Sequence, residues 1–392
     1  MLPFWKLGKT NMYHPFEFPF SGVARGEPTP RPPQGIPTDG SLDLINIPAG
    51  NSGVVREIHV ISETNSGVQS VFNNLIINFK INGESTPSSS LPLASMVGNE
   101  HGDACTGPYE TPFWTITNPI NIGDSYYPPF NPDGVNQGLV LTYPINYTNG
   151  IHIYLTKVDY NLGPDSFWNN VRYQDNLPAV WNRNYKFHAV RSDELLTPPS
   201  AGPGSITFIG DGTEVVGTGT NFQATDVGKY LLVGIQDMLI TSVTDTTHLT
   251  ISSKNPGSGT PASYRISAGH TFLTRPAGTR GYLASVVLGV AGISGAEHLE
   301  TNPRLRFNQE VDDAITLTGA EDFLKSAFYF DTIQQNSMGG VTAMDKVNGK
   351  YTGYTMNYHF PIPYIDGMSG HFPSVNTLNT QCNFTSVYYE EQ

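Results

Sequence analysis

The sequence predicts an all-β protein, built from two tandem jelly rolls with a small β-barrel or sandwich domain inserted between them. Charged residues make up only 14% of the 392-residue chain, which contains 40 glycines, 30 prolines, 20 tyrosines and 20 phenylalanines. This composition is typical of β-structure with many turns and a polar, weakly charged surface. Short runs of alternating apolar residues occur along most of the chain, and two strand-and-turn patterns recur in the same order. The alternation predicts sandwiches, and the recurrence predicts two copies.

The charge and the N-terminal sequence limit the possible partners. The formal net charge of −13 repels phosphate backbones, which ranks nucleic-acid binding low. No apolar run reaches the roughly 18 residues of a membrane span, and the first residues, MLPFWKLGKTNMYHPF, lack the apolar core of a secretory signal. We therefore expect a chain made in the cytoplasm, with no membrane span and no direct contact to nucleic acid.

The sequence contains no motif for a metal or a cofactor, and we expect neither. Cys105 and Cys382 are the only cysteines and lie too far apart in sequence to form a metal-binding motif, although a single bridge between them stays open. Gly210-Asp211-Gly212 and Gly217-Thr218-Gly219 are interpreted as turns, because no Gly-Lys-Ser/Thr follows as in a phosphate-binding loop.

Residues 1–40 are expected to form an extended N-terminal arm. They combine aromatic residues with the proline-rich run PTPRPPQGIP, which favours a polyproline-like conformation. The segment is too apolar for a solvated tail, so we expect it to lie on another protein surface. Packing of the arm on its own domain is the equally weighted alternative.

Residues 41–197 are expected to form the first jelly roll. VVREIHVIS (54–62) alternates apolar and polar residues, and NLIINFKING (74–83) is a strand that runs into an Asn-Gly turn. LVLTYPINY (139–147) and GIHIYLTKVDY (150–160) are two further strands separated by a turn. Long connections between such strands are typical of a jelly roll or a related sandwich.

Residues 198–268 are expected to form the inserted module. The strand-like runs SITFIG, TEVVGTGT, KYLLVGI, MLITSVT and HLTISS are separated by Gly, Asp and Thr turns. The pattern of G-S-I-T-F, then V-V-G-T-G-T, G-K-Y and I-T-S-V-T-D-T-T resembles small β modules in the tail and fibre proteins of tailed phages. The resemblance implies a surface domain of a virus particle.

Residues 269–392 are expected to form the second jelly roll, because they repeat patterns of the first. Tyr143-Pro144-Ile145-Asn146-Tyr147 recurs as Phe360-Pro361-Ile362-Pro363-Tyr364, and each copy is followed by a turn. Upstream, Phe79-Lys80-Ile81-Asn82-Gly83-Glu84 recurs less closely as Arg306-Phe307-Asn308-Gln309-Glu310. Two matches in the same order predict a duplicated roll, with the module between the copies.

A further set of short segments follows a fixed order along the two rolls. It comprises Ile81-Asn82-Gly83-Glu84 with the later Leu91-Pro92-Leu93, then Lys186-Phe187-His188-Ala189, His298-Leu299-Glu300, Thr318-Gly319-Ala320-Glu321-Asp322-Phe323, and Tyr358-His359-Phe360-Pro361-Ile362-Pro363-Tyr364. This order resembles glycoside hydrolase family 172 over about 41–195 and 269–375. The resemblance implies a double jelly roll that assembles as trimers and acts on fructofuranosides and arabinofuranosides.

The same resemblance implies two catalytic residues. The family motifs, roughly L-E-G-D-E and G-T-G-T-E-D-Y-F, place Glu300 as the nucleophile and Glu321 as the acid/base of a retaining glycoside hydrolase. Such enzymes hold two carboxyls about 5–5.5 Å apart, one ionised and one protonated. The chain departs from the motifs at Thr301-Asn302-Pro303, Leu317 and Ala320, where the family has other residues that surround the pair.

Each of these site residues also has a structural interpretation. Glu321 or Asp322 fits the cap of the helix-like segment that follows. His188 and His359 lie in strand-like segments and are interpreted as packed or hydrogen-bonded residues. Together with Asp322 they are also the candidates to bind a sugar substrate.

We therefore expect a virion structural protein of a phage or related virus: a homotrimeric capsid or spike/fibre component that contacts other virion proteins through its arm. The double jelly roll also builds the major capsid proteins of many icosahedral viruses, and one fold serves several functions. The alternative is a glycoside hydrolase acting on arabinofuranosides or fructofuranosides, either free or carried by the virion. A third hypothesis is a non-catalytic spike that binds host-surface glycans.

Overall fold

The chain folds almost entirely as β-strands joined by turns. The computed structural model describes residues 36–37, 40–64, 71–98, 100, 103–104, 109–111, 113–116, 120–121, 135–160, 167–175, 185–196, 199–210, 212–234, 236–252, 259–291, 303–310, 315–316, 339–345, 350–372 and 380–392. Within these ranges the helical segments are short 3₁₀ turns at Val71–Asn74, Leu93–Val97 and Ala224–Asp226. The predicted all-β fold is confirmed: the strands build two jelly rolls and a smaller inserted module.

The first roll pairs a four-stranded sheet, β1-β11-β3-β4, with a larger sheet, β10-β2-β9-β7-β6, to which β12 and β8 are added at β2 and β9. In β11 the burial alternates strictly along the strand, which is what a period of two requires of a strand with one buried face. The strands that precede the module are β1 (Leu42–Ile47), β2 (Gly53–Thr64), β3 (Leu75–Ile81), β4 (Ser89–Pro92), β5 (Asp103–Ala104), β6 (Tyr109–Glu110), β7 (Trp114–Ile116), β8 (Ile120–Asn121), β9 (Val135–Leu141), β10 (Ile145–Tyr147), β11 (Ile151–Lys157), β12 (Phe167–Asp175) and β13 (Tyr185–Leu196).

The inserted module is a six-stranded sheet that curls towards closure. Its order is β14-β15-β18-β17-β16-β19, and Ile206 of β14 exchanges two backbone hydrogen bonds of 2.9 and 2.8 Å with Ala262, just before β19. It has its own apolar core, which includes Ile206, Phe222, Leu231 and Ile240. The strands are β14 (Ser205–Ile209), β15 (Glu214–Thr218), β16 (Tyr230–Val233), β17 (Gln236–Asp245), β18 (His248–Ile251) and β19 (Arg265–Ser267).

The second roll pairs a four-stranded sheet, β20-β26-β22-β23, with a six-stranded sheet, β13-β27-β21-β25-β24-β5. Between the sheets lies a core that contains Phe272, Leu283, Phe307 and Phe384. The strands are β20 (His270–Arg275), β21 (Gly281–Ala291), β22 (Arg304–Phe307), β23 (Ile315–Thr316), β24 (Gly339–Asp345), β25 (Lys350–Tyr364), β26 (Met368–Phe372) and β27 (Thr380–Glu391).

The two rolls are copies of one topology. The order β1-β11-β3-β4 of the first roll corresponds strand for strand to β20-β26-β22-β23 of the second. In the facing sheets, β2 lies between β12 and β9 as β21 lies between β27 and β25. β22 therefore occupies the place of β3, and the predicted internal repeat is confirmed.

The repeat extends to single residues at the turn between the first two strands of each roll. Pro48-Ala49-Gly50 and Pro276-Ala277-Gly278 both end in a glycine with positive φ, at 89° and 83°. The N–H of Gly50 donates to Asn149 Oδ1 at 2.7 Å, and the N–H of Gly278 donates to Asp366 Oδ1 at 2.6 Å. An Asn in one copy and an Asp in the other thus fix the same turn.

Strands also cross from one roll to the other. β13, within the range predicted for the first roll, pairs with β27 over twelve residue pairs and forms the outer strand of the second roll's sheet. β5 pairs with β24 at the opposite end of that sheet. Residues of the second roll, such as Ala284, Val387 and Tyr389, belong to the core cluster of the first. The rolls are therefore joined through backbone hydrogen bonds and a shared core.

Candidate functional site along the joint between the rolls

The joint between the rolls is organised by β13, and it contains the one predicted site residue whose side chain the structure describes. In the antiparallel register of β13 and β27, Lys186 lies opposite Glu390 and His188 lies opposite Tyr388. Because alternate residues of a strand share a face, Lys186 and His188 project from the same side of the sheet.

His188 is held against an aromatic ring. Its imidazole stacks on Tyr388 with ring centroids 4.9 Å apart and an interplanar angle of 11°. Burial lowers the pKa of His188 to about 4, helped by the positive charges of Lys186 and Arg275 and opposed by Glu84. The imidazole is therefore neutral at physiological pH, as the predicted packed histidine would be.

Two ion pairs flank this histidine. Arg275 Nε and Nη2 donate to the two carboxylate oxygens of Glu390 at 2.5 and 2.6 Å, which is the bidentate geometry of a strong pair. The Arg275 guanidinium also lies 5.3 Å from the centre of the Tyr388 ring. Lys186 pairs with Glu84, which belongs to the turn after β3 of the first roll. The two cations near His188, Arg275 and Lys186, are therefore each paired with a carboxylate of their own.

Glu84 is tightly bound within the joint. Burial alone raises the pKa of a carboxyl group, but hydrogen bonds from the Ile81 N–H, Lys186 and Ser88 outweigh burial and leave the pKa of Glu84 below its usual value. The N–H of Ile81 donates to Glu84 Oε2 at 2.9 Å. The carboxylate therefore connects the end of β3 to the strand that crosses to the second roll.

A buried hydroxyl pair lies deeper in the joint. Tyr143 of the first roll and Ser285 of β21 lie 2.8 Å apart through Oη and Oγ, and both side chains are buried. The Tyr143 ring stacks on Phe113 at a centroid distance of 5.0 Å and packs against Phe187 of β13 at 5.9 Å. Burial raises the pKa of Tyr143, so this hydroxyl remains protonated and acts only as a hydrogen-bonding group.

The module is fixed to the second roll by a separate ion pair. Arg304 of β22 lies 2.9 Å from Asp237 of β17 through Nη2 and Oδ1, and the two side chains are only 9% and 7% exposed. The Arg304 guanidinium lies 5.2 Å from the centre of the Tyr230 ring, and Arg306 Nη2 donates to Tyr230 Oη at 3.2 Å. An ion pair this deeply buried fixes the orientation of the module on the roll.

These contacts assign the joint a mechanical role. The charged groups around His188 are bound in close pairs across strands, and the neutral imidazole is packed flat on a ring. Such an arrangement holds two sandwiches and a module in one fixed geometry. Sugar binding by His188 stays a prediction.

The other predicted site residues lie outside the described part of the chain. This applies to Glu300, Glu321 and Asp322, so the separation of the two carboxyls and the capping alternative are both untested. His359 belongs to β25, but its side chain is outside the described residues. Cys105 also lies outside, whereas Cys382 is a buried free thiol in the second roll. The N-terminal arm to residue 35 likewise stays a prediction, and a bridge between Cys105 and Cys382 is untested.

Sequence reasoning missed the residues that connect the parts. Arg275, Glu390, Arg304 and Asp237 belong to no motif, and each pairs with a residue distant in sequence. The one available signal was that β13, YKFHAVRSDELL, is a long strand with charges on both faces, which is unusual for a strand inside one sandwich.

Metal-binding clusters and membrane-spanning helices are both absent from the described ranges. No group of three or more His, Cys, Asp or Glu side chains there is arranged to hold a metal ion. None of the helices formed by those residues has the length and apolarity needed to cross a bilayer.

The fold and the joint together define a class of protein, the double jelly roll, in which two strands of the first roll are added to a sheet of the second. Known structures that resemble the chain are the MCP of STIV (10% identity, TM-score 0.43, covering 94% of this chain and 97% of that one), a chain of Sulfolobus turreted icosahedral virus (12%, 0.42, 94% and 90%), and the major capsid protein of bacteriophage PM2 (9%, 0.31, 89% and 96%). No protein-family model and no curated protein sequence matches the chain.

Proposed function

We propose that this chain is a structural protein of a virion, a trimeric capsid or spike/fibre component of a phage or related virus. The observation that carries the proposal is the joint: two copies of one roll share a sheet and a core, so that they form a single block. A shell subunit must keep its shape under contact from many neighbours, and two strands of one roll built into the other roll's sheet provide that stiffness at the level of backbone hydrogen bonds.

The module and the arm have distinct roles in this proposal. The buried Arg304–Asp237 pair supports a module that projects from the block in a fixed direction, as a surface protrusion would. The N-terminal arm, rich in aromatic residues and proline, is assigned to contacts with other virion proteins, and the weakly charged module surface to host-surface glycans. The virion is accordingly the proposed location of the mature protein.

Particle composition tests this function. Virions purified from an infected culture that encodes the chain are expected to contain it as an abundant protein by mass spectrometry, and antibodies against residues 198–268 are expected to decorate intact particles. An abundant infected-cell protein that is absent from purified particles would overturn the proposal.

The glycoside hydrolase hypothesis is retained as a second candidate because of the resemblance around Glu300 and Glu321. It predicts hydrolysis of arabinofuranoside or fructofuranoside probes by the purified chain. A Glu300→Gln, Glu321→Gln double variant is the direct test. If the double variant hydrolysed the probes as well as the parent, this candidate would be rejected.

A further inference from the structure

A serine, a histidine and a glutamate contact one another in turn where β13 lies against β20 of the facing sheet. Ser192 Oγ lies 2.8 Å from His270 Nε2. On the other side of the ring, His270 Nδ1 lies 3.4 Å from Glu194 Oε2. The two imidazole nitrogens therefore face a hydroxyl and a carboxylate respectively, which is the order of groups in a hydrolytic triad.

The fold holds these three groups in place. Ser192 and Glu194 are two positions apart on β13 and so lie on the same face of the strand, and His270 is the first residue of β20, immediately after the module. The imidazole lies 6.4 Å, centroid to centroid, from the ring of Phe384, which is the direct cross-strand neighbour of Ser192. One side of the histidine is thus packed against an apolar ring.

The protonation and exposure of the group suit a base that solvent can reach. Burial lowers the pKa of His270, opposed by the charge of Glu194, so the ring is neutral near pH 7 and able to accept a proton. The His270 side chain is 13% exposed and that of Glu194 is 48% exposed.

We propose that Ser192 is a nucleophile activated by His270, with Glu194 as the positioning residue, and that this site hydrolyses short-chain acyl esters. Ser192 Oγ attacks the ester carbonyl carbon while its proton passes to His270 Nε2. The C–O bond to the alcohol breaks, the alcohol leaves with that proton, and the acyl group remains on Ser192. Water then attacks the acyl carbon with His270 as base, which releases the carboxylic acid and restores the serine hydroxyl.

The chain contains a matched internal control. Ser369 Oγ lies 2.9 Å from His371 Nε2 on β26, and the other nitrogen of His371 contacts the hydroxyl of Thr271 at 3.1 Å, in the place that Glu194 takes beside His270. The two Ser–His contacts have nearly the same length. The two histidines differ in the group at the second ring nitrogen, which is the Glu194 carboxylate at His270 and the Thr271 hydroxyl at His371.

The test is labelling of the full-length chain with a fluorophosphonate probe, with the modified residue located by peptide mass spectrometry, alongside turnover of p-nitrophenyl acetate. We expect the label on Ser192 and not on Ser369. Ser192→Ala is expected to lower labelling and turnover at least about 100-fold, while Ser369→Ala leaves both unchanged. Both are single-atom deletions of polar groups, and the circular dichroism and melting temperature of each variant report whether it is folded.

Glu194 is tested through the pH profile. Glu194→Gln is expected to lower turnover and to shift its acidic limb, because the imidazolium loses a stabilising charge, and Glu194→Asp is expected to restore part of the rate. A folded chain that is not labelled at Ser192, or equal turnover in Ser192→Ala and the parent, would overturn the proposal.

Discussion

Asn82 and Asn308 occupy the same position in the two rolls and make the same hydrogen bonds. Asn82 Oδ1 accepts from the N–H groups of Thr148 and Asn149 at 2.6 and 3.3 Å. Asn308 Oδ1 accepts from the N–H groups of Ile365 and Asp366 at 2.7 and 3.2 Å. Both residues adopt a left-handed backbone, with φ of 60° and 56°. In each roll, the asparagine side chain and its left-handed backbone together connect the end of one strand to the neighbouring turn.

Substitutions at these asparagines should separate the contribution of the hydrogen bonds to stability from that of the left-handed backbone. Asn308→Ala loses the hydrogen bonds and gains left-handed strain, whereas Asn308→Gly loses only the hydrogen bonds. We expect Asn308→Ala to lower the free energy of unfolding by about 2–3 kcal/mol and to be worse than Asn308→Gly. Urea denaturation of both variants, and of the same pair at Asn82, is the measurement. An alanine variant at least as stable as the glycine variant would show that the backbone conformation carries no cost.

Two glycines are expected to tolerate no side chain. A Cβ at Gly281 would lie 1.9 Å from the carbonyl oxygen of Tyr389, and a Cβ at Gly53 would lie 2.1 Å from that of Gln174. Because backbone atoms cannot move aside cheaply, Gly281→Ala and Gly53→Ala should each destabilise the fold by about 3 kcal/mol or more. Gly259→Ala is the control, since its Cβ would meet its nearest neighbour, Thr207, at 3.8 Å. Thermal unfolding that ranks Gly259→Ala with the other two would contradict this interpretation.

The module is expected to loosen when its ion pair is broken. Arg304→Met removes the guanidinium that pairs with the buried Asp237 carboxylate, and we expect the free energy of unfolding to fall by about 3–5 kcal/mol, measured by calorimetry. The double variant Arg304→Met, Asp237→Leu removes both charges and should be more stable than Arg304→Met alone. Limited proteolysis should cut the single variant faster within residues 198–268. The single variant Asp237→Leu completes the comparison. If the double variant lost as much free energy of unfolding as the two single variants together, the two residues would not be coupled.

The joint should weaken in acid. The pKa of His188 falls from 6.5 to about 4 on folding, so between these values the unfolded chain binds a proton that the folded chain does not. Stability is therefore complete above about pH 6.5 and falls as the pH decreases to about 4, by about 2–3 kcal/mol. Urea midpoints from pH 4 to 7 measure this slope, and His188→Gln should flatten it. An unchanged slope in the variant would assign the acid sensitivity to other groups.

The sequence predicted the architecture because the relevant signals are local. Alternation in β11 and the turns after Tyr147 and Tyr364 are visible in short windows, and so is the recurrence of Asn82 and Asn308. The joint was not predictable in this way. Whether β13 pairs within its own roll or with β27, and whether Arg304 meets Asp237, depends on how distant segments meet in space, and neither residue spacing nor charge pattern specifies it. Glu300 and Glu321 were found by resemblance, and their relative geometry remains a prediction.

The oligomeric state of the purified chain tests the central proposal most directly. A subunit of a virion shell or spike is expected to sediment as a trimer in analytical ultracentrifugation, and negative-stain images should show threefold particles with three projecting modules. The Arg304→Met variant provides a control in which the projections are blurred but the trimer persists. A monodisperse monomer at every concentration tested, with no threefold particles, would contradict the account.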